Sequence, residues 1–310
     1  MLFWRKENRV GYSMLPKEVN IYEVGPRDGL QNEKEILPIE SKVKFIDMLS
    51  ECNYKNIEIG SFVPQKWVPQ MANSAALYNL IKKNPITTYP YLTPNYLGLK
   101  NALKTDIKTI CVFTTPSEKF SKKNTNCSVQ ESLNRIKEIV LIAKKNGLKI
   151  RGYISCVLGC PYEGEITYKK TAELARFLDD LGCYEISLGD TVGYGTPLKV
   201  KMLIENVLKY TDVKKIAVHF HDTYGQALAN IFAALELGVA TIDTSVGGLG
   251  GCPYAKGAKG NVATEDVIYM LDGMEIISGI DLKRVVKVSW FIHKALNKLP
   301  SSRVALALGN

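Results

Sequence analysis

Short apolar segments alternate with longer amphipathic segments along most of the chain. The apolar segments are rich in Val, Ile, Thr and Tyr, a pattern that predicts buried β-strands. The predicted strands cover residues 19–24, 56–59, 87–92, 108–115, 149–156, 184–190, 215–222 and 241–245. Each is followed by a segment that favours a helix, so the sequence indicates eight strand–helix units.

The helical segments are defined by apolar residues that recur three and four positions apart. The clearest is Val129–Lys145, which Gly147 ends. A second covers 227–237 and ends at Gly238, and an additional helix is predicted near 285–298, after the eighth unit.

Eight strand–helix units in one chain predict the α/β class and a closed parallel (β/α)8 barrel, the TIM barrel, with an additional C-terminal helix. An open, doubly wound sheet is the structural alternative. The 310 residues suit one such barrel. Because no linker rich in Gly, Pro or Ser divides the chain, we expect one domain over 18–310, preceded by a loose extension over 1–17.

Composition limits the classes of partner. Hydrophobic residues make up 46% and charged residues 23%, an ordinary globular balance. The net charge is +9, but Lys and Arg are spread along the chain instead of forming a basic arm. No apolar run reaches the length of a membrane span. We therefore expect a soluble protein without nucleic-acid or membrane partners. Its positive charge indicates a lysine-rich solvated surface; the alternative is that the charge favours an anionic ligand.

Cysteine usage and the two ends of the chain bear on localisation. The seven cysteines are odd in number and form no Cys-x-x-Cys pair, which is typical of a reducing compartment. The N-terminus lacks a secretory signal, and the C-terminal Ala-Leu-Gly-Asn is not a peroxisomal signal. The expected compartment is a bacterial-type cytoplasm or the mitochondrial matrix.

Polar residues interrupt or follow several of the apolar strands. Arg27 and Asp28 follow the first strand, Glu58 lies in the second, and Ser187 and Asp190 lie in the sixth. In a barrel, catalytic groups collect at the carboxyl ends of the strands, so these residues are candidates for chemistry. The alternatives are a surface turn for the Arg–Asp pair and structural hydrogen bonding for the others.

Two of the three histidines, His219 and His221, stand two positions apart in the seventh predicted strand. Because side chains on one face of a strand recur every second residue, both imidazoles face the same side. Such a pair forms half of a divalent-metal site. The alternative is a pair of ordinary core or surface histidines.

A glycine-rich segment follows the eighth strand. Four of the five residues 247–251 are Gly, and Cys252 comes next. Such a loop is mobile or sharply turned, and its cysteine is either inert or a reactive group delivered by loop closure. Asn261 follows; a loop Asn usually forms a turn, although its amide oxygen can also bind a hard cation.

Several long strings carry a family resemblance. They are GPRDGLQNE at 25–33, SFVP with KWVPQM at 61–71, GCPYEG at 159–164, YEISLGDT at 184–191, HFHDTYGQALAN at 219–230 and GLGGCPYA at 248–255. In these strings, over about residues 19–302, the chain resembles the hydroxymethylglutaryl-CoA lyases, metal-dependent barrels related to the Claisen-type synthases.

The resemblance implies a site at the barrel mouth that holds Mg2+ or Mn2+. The metal ligands that it implies are Asp28, His219, His221 and Asn261. The catalytic residues that it implies are Arg27, Cys252, Asp28, His219 and Glu58. The substrate-binding or supporting residues that it implies are Gln31, Ser61, Ser187, Asp190 and Gly250.

The activity that the resemblance implies is cleavage of (S)-3-hydroxy-3-methylglutaryl-CoA to acetyl-CoA and acetoacetate, as in leucine degradation and ketone-body formation, by a homodimer. His219 or Asp28 is the candidate base for the substrate hydroxyl. One alternative is a related acyl-CoA lyase or a Claisen-type synthase, although such synthases carry regulatory regions for which 310 residues leave little room. An alternative of another class is a non-catalytic ligand-binding barrel.

Overall fold

A computed structural model of the protein describes residues 15–250 and 260–309. Its strands are β1 Asn20–Glu23, β2 Asn56–Ile57, β3 Gly60–Ser61, β4 Tyr91–Leu92, β5 Thr109–Thr114, β6 Lys149–Ser155, β7 Glu185–Asp190, β8 Ile216–Phe220 and β9 Thr241–Thr244. Each neighbouring pair in the order β2-β1-β9-β8-β7-β6-β5-β4-β3 is parallel.

Strands β2 and β3 are two halves of one barrel strand, and they close the sheet. Between them, the Glu58 N–H donates to the Glu23 carbonyl on one side, and the Ile59 N–H donates to the Pro90 carbonyl on the other. The nine segments therefore correspond to the eight predicted strands. This closure confirms the barrel and excludes the open, doubly wound sheet. The predicted strand 87–92 pairs mainly at Tyr91–Leu92, because Pro90 has no N–H to donate to the ladder.

Helices cover the outside of the barrel. They are α1 Ile39–Ser50, α2 Ser74–Leu80, α3 Tyr96–Ala102, α4 Glu118–Thr125, α5 Val129–Lys145, α6 Tyr168–Asp180, α7 Pro197–Val207, α8 Ala227–Leu235, α9 Thr264–Gly273, α10 Leu282–Ala295 and α11 Arg303–Leu308. The predicted helix at Val129–Lys145 is confirmed, and it begins with a capping box between Ser128 and Glu131. Helix α10 is the additional C-terminal helix, displaced by about one turn from the predicted 285–298.

The buried apolar side chains of the barrel and its helices form one main cluster that extends from Val19 to Leu296. Strands β7, β8 and β9 are buried along their whole length, as expected for strands covered on both faces. No described helix has the length and apolar character needed to span a bilayer. The boundary between a 1–17 extension and an 18–310 domain stays a prediction; Lys17 and Glu18 pair with Ile277.

Candidate active site and metal centre

The Arg27–Asp28 pair lies at the carboxyl end of β1, on a turn of π-helix at Gly25–Gly29. The buried carboxylate of Glu23 fixes the start of this turn, because its Oε1 accepts a hydrogen bond from the Gly25 N–H at 2.8 Å. Pro26 contributes a fixed φ at the first turn. The turn thereby sets the arginine and the aspartate at the mouth of the barrel.

Three predicted metal ligands converge at this mouth. One ligand atom from each of Asp28, His219 and His221 lies within 4.8 Å of the others. Asp28 Oδ2 is 3.7 Å from His219 Nε2, and the two imidazole ring centres are 5.5 Å apart. Both rings face the site because their positions in and just after β8 differ by two residues.

The fourth predicted ligand, Asn261, lies beside the same carboxylate. It pairs with His221 in an antiparallel bridge, and its Nδ2 is 2.9 Å from Asp28 Oδ2. The buried Nδ1 of His221 has no hydrogen-bond partner among the described residues. A buried polar atom without a partner is costly, and a bound cation would use the lone pairs that converge here. The O/N donor set suits Mg2+ or Mn2+ better than a thiolate-binding metal.

The ionisable groups at this site shift one another's pKa. Burial alone would raise the pKa of Asp28, but Arg27 and the two histidines outweigh it and hold that pKa well below its usual range. Burial and the neighbouring His219 lower the pKa of His221 to about 4. At pH 7, the Asp28 carboxylate and the neutral His221 imidazole therefore have the protonation states that a cation requires of its ligands. At His219, burial lowers the pKa, but the hydrogen bond to Asp243 and the charge of Asp28 outweigh it and raise the pKa.

A second group of polar side chains adjoins the ligands. Arg27 donates through Nη1 to Asp28 Oδ1 at 2.5 Å and through Nη2 to Glu58 Oε2 at 2.9 Å. The Tyr153 hydroxyl donates to the same Glu58 oxygen at 2.7 Å. Arg27 is 6% exposed and Glu58 is fully buried, so bulk water screens this pair little.

Part of the hydrogen-bonding capacity in this group is unused. Arg27 Nε and Glu58 Oε1 are both buried and have no partner among the described residues. The free donor of Arg27 and the free acceptor of Glu58 lie beside the metal ligands, where they can bind a polar substrate that enters the mouth.

Gly250 lies against this site. Its φ is +102°, and a Cβ added there would stand 2.9 Å from Asn261 Nδ2 and 3.3 Å from the Gly29 Cα. Glycine is needed because the backbone is left-handed and passes close to two parts of the site. Cys252, the predicted catalytic thiol, lies outside the described residues.

Among the described residues, the side chains of the other predicted supporting residues form no hydrogen bond with the proposed metal ligands. Ser187 donates to Asp243 at 2.8 Å. Asp190 accepts from the backbone N–H groups of Tyr194 and Gly195, which fixes the connection after β7, and burial raises its pKa to about 6. The hydroxyl of Ser61 accepts from the Val63 N–H. Gln31 is half-buried after the π-helical turn.

The sequence analysis did not select Tyr153 or Asp243, which both reach the site. Asp243 Oδ2 lies 3.3 Å from His219 Nδ1. A signal was present, because Asp243 lies in a segment predicted to be a buried strand, and a buried carboxylate is unusual unless it is paired. Tyr153 gave a weaker signal, since tyrosine is common in strands.

The chain is similar to known proteins over nearly its whole length. The HMGL-like family model matches residues 18–292. A cytoplasmic 3-hydroxy-3-methylglutaryl-CoA lyase of Mus musculus is 53% identical over 96% of this chain and 86% of its own length. A mitochondrial hydroxymethylglutaryl-CoA lyase of Bos taurus is 53% identical over 94% of this chain and 90% of its own length.

Solved structures give the same result. The hydroxymethylglutaryl-CoA lyase of Pseudomonas aeruginosa superposes with a TM-score of 0.93 at 50% identity, covering 95% of this chain and 98% of its own. An HMG-CoA lyase of Acinetobacter baumannii, solved in complex with coenzyme A and 3-methylmalate, has a TM-score of 0.90 at 31% identity and covers 97% and 98% of the two chains. The chain belongs to the hydroxymethylglutaryl-CoA lyase family.

Proposed function

We propose that the chain cleaves (S)-3-hydroxy-3-methylglutaryl-CoA to acetyl-CoA and acetoacetate in a retro-Claisen reaction that depends on a divalent metal. As a member of its family the chain is a carbon–carbon lyase. The observation that carries the proposal is the convergence of Asp28, His219 and His221 beside the Arg27–Glu58 pair at the barrel mouth.

Asp28, His219 and His221 would hold the cation, and Asn261 would join them with its amide rotated so that the oxygen faces the metal. When bound, Mg2+ or Mn2+ acts as a Lewis acid that lowers the pKa of the substrate hydroxyl and orients it. The distance of 2.9 Å between Asn261 Nδ2 and Asp28 Oδ2 supports the placement of Asn261 beside the other three ligands.

The tertiary hydroxyl of the substrate must lose its proton as the C–C bond breaks. His219 and Asp28 are the candidate bases, because both lie where that hydroxyl would be oriented. The electron pair of the broken bond passes to the thioester as an enolate. Arg27 would stabilise the negative charge on the enolate oxygen, through a guanidinium that Glu58 and Asp28 already hold in place.

The enolate carbon must then gain a proton to form acetyl-CoA. We assign this step, or closure of the site, to Cys252 on the glycine-rich segment. Gly250 supports the assignment, because it precedes Cys252 by two residues in the sequence and lies against Asn261. Closure over the site would exclude water from the enolate.

An acyl-CoA requires room for a long anionic group beside the mouth. A cavity of about 470 Å³ adjoins the glycine-rich segment, and Lys34, Lys298, Gly248 and Gly250 are among its lining residues. Glu33 and Glu35 also line this cavity, and Glu33 is paired with Lys298, so Lys34 is the lining lysine that we assign to the phosphates of coenzyme A. The Acinetobacter relative, solved with coenzyme A, supports this class of ligand.

Further parts of the proposal concern the assembly and the compartment. We propose a homodimer without nucleic-acid or membrane partners, in the cytoplasm or the mitochondrial matrix; the Mus musculus and Bos taurus relatives are named as cytoplasmic and mitochondrial forms, respectively. Leucine degradation or ketone-body formation is the corresponding metabolic role. Light scattering coupled to gel filtration tests the dimer.

The deciding experiment measures acetoacetate released from hydroxymethylglutaryl-CoA by the purified chain, with Mg2+ and then with excess chelator. We expect release that the chelator abolishes and that added Mg2+ or Mn2+ restores. A folded, metal-loaded chain that releases no acetoacetate would contradict the proposal. Screening 2-oxo acids with acetyl-CoA would then test for the condensing reaction, and thioester binding without turnover would indicate a ligand-binding barrel.

A further inference from the structure

A buried carboxylate stands directly behind one of the proposed metal ligands. Asp243 on β9 is the register partner of His219 on β8 and is 2% exposed. Its Oδ2 lies 3.3 Å from His219 Nδ1, on the side of the ring away from Asp28. An imidazole whose Nδ1 proton is held by a carboxylate presents its Nε2 lone pair on the other side.

Asp243 is itself held by a planar cation. Arg151 donates through Nη2 to Asp243 Oδ1 at 2.7 Å and through Nη1 to Oδ2 at 3.0 Å. This two-pronged arrangement fixes the plane of the carboxylate as well as its position. The Ser187 hydroxyl is a third donor to the Asp243 carboxylate and lies 2.8 Å from Oδ2.

The guanidinium of Arg151 has little freedom to move. It is fully buried, its Nε donates to Glu185 at 2.6 Å, and its Cζ lies 3.8 Å from the centre of the Tyr22 ring. Tyr153 covers it at 4.9 Å. Four neighbouring strands, β6 to β9, therefore contribute Arg151, Glu185 with Ser187, His219 and Asp243 to one connected network.

Stability alone does not account for this network. Removing two charges from water costs about as much as their attraction returns, so a buried ion pair is often no more stable than apolar side chains of the same volume. What the ion pair supplies is a fixed direction for the bond that reaches His219. The network ends at Nδ1 of His219, the ring nitrogen on the side away from the proposed metal position, so it fixes the orientation of this imidazole.

We propose that Arg151 and Asp243 are positioning residues of the metal centre. Arg151 holds Asp243, and Asp243 holds the proton of His219 on Nδ1, which leaves Nε2 to face the cation. Ser187, for which the family resemblance implied only a supporting role, acts through the same carboxylate. The inference rests on the metal centre of the proposed function, but not on the reaction that the centre performs.

Two measurements on the full chain test it without substrate. Calorimetry gives the affinity for Mn2+, and 15N NMR of the metal-free protein, above the pKa of His219, shows which ring nitrogen carries the proton. Asp243→Asn should weaken Mn2+ binding by roughly 10- to 100-fold and reduce the share of the Nδ1-protonated form. The matched control is Asp179→Asn on helix α6, which removes a carboxylate paired with Lys215 outside this network and should leave both readouts unchanged.

Because Asp243→Asn removes a buried charge and can prevent folding, Ser187→Ala provides a milder variant. It deletes one donor to the carboxylate, and we expect Mn2+ binding weaker by roughly fivefold. A folded Asp243→Asn or Ser187→Ala chain with wild-type Mn2+ affinity and wild-type ring protonation would overturn the inference. A wild-type chain that binds Mn2+ but cleaves no thioester would contradict the proposed function and leave this inference standing.

Discussion

The guanidinium of Arg27 donates a hydrogen bond to the carboxylate of Glu58, with 2.9 Å between Nη2 and Oε2. The two residues come from separate strand ends, β1 and the junction of β2 with β3, and the parallel pairing of β1 with β2 brings them together. This hydrogen bond fixes the position of the Arg27 guanidinium before a substrate binds. A charge developing on the substrate therefore meets a donor that needs no reorganisation.

The first prediction concerns Arg27 itself. Arg27→Gln should lower kcat by about 10²- to 10³-fold, because it removes the cation that stabilises the enolate. Mn2+ affinity should change far less, since Arg27 is not a proposed ligand. Steady-state kinetics and calorimetry give the two values. Arg176→Gln, at a surface pair with Asp180, is the control and should leave both unchanged. Near-normal turnover in Arg27→Gln would remove Arg27 from the chemistry.

The second prediction concerns the hydroxyl of Tyr153. Tyr153→Phe keeps the ring and deletes the donor to Glu58 at 2.7 Å. We expect kcat to fall roughly tenfold, as Glu58 and Arg27 lose their fixed relation. The control is Tyr89→Phe, which loses a buried hydroxyl bonded to Ser50, away from the site. Equal kcat values for the two variants would show that Tyr153 does not position Glu58.

The third prediction concerns the close approach at Gly250. Gly250→Ala introduces strain at φ +102° and a Cβ that must displace Asn261. We expect weaker Mn2+ binding in calorimetry and lower thermal stability. Gly279→Ala is the matched control, because Gly279 also has positive φ (+73°), while its added Cβ would meet nothing within 4 Å. If the two variants lose stability alike and both keep wild-type Mn2+ affinity, the contact between Gly250 and Asn261 has no role in metal binding.

The fourth prediction concerns a buried acid under the glycine-rich segment. Both oxygens of Glu265 accept from the Gly247 N–H, at 3.0 and 2.9 Å. Burial raises the pKa of Glu265 from 4.5 to about 8. A carboxyl whose pKa rises on folding stabilises the fold fully below pH 4.5, and this contribution is lost as the pH rises through about 8.

Glu265→Gln imitates the protonated acid, so it should remove this pH dependence. We expect the melting temperature to exceed that of the wild type at pH 8 by at least about 2 °C, and the difference to shrink toward pH 5. Thermal melts across this range provide the measurement, with the exposed Glu173→Gln as control. A constant difference between variant and wild type from pH 5 to pH 8 would show that Glu265 does not titrate there.

The sequence predicted the barrel because each strand–helix unit is a local pattern. The shared face of His219 and His221 was predicted for a related reason, since side chains alternate along a strand. These two inferences need only local patterns, whereas the ligand set that adds Asp28 and Asn261 was implied by the family resemblance.

What the sequence did not predict depends on register between neighbouring strands. Asp243 reaches His219 because β8 and β9 pair with these two residues opposite each other. Arg151 reaches Asp243 across the interior of the barrel. Neither relation follows from spacing along the chain, because the sequence does not state how far one strand is shifted against the next.

The central claim is that one divalent cation binds between Asp28, His219 and His221. Crystals grown with Mn2+ test it through anomalous diffraction near the manganese edge. We predict one strong peak at roughly 2.0–2.6 Å from a carboxylate oxygen of Asp28 and from one nitrogen of each histidine. A strong manganese peak elsewhere, with no peak between these three residues, would contradict the account.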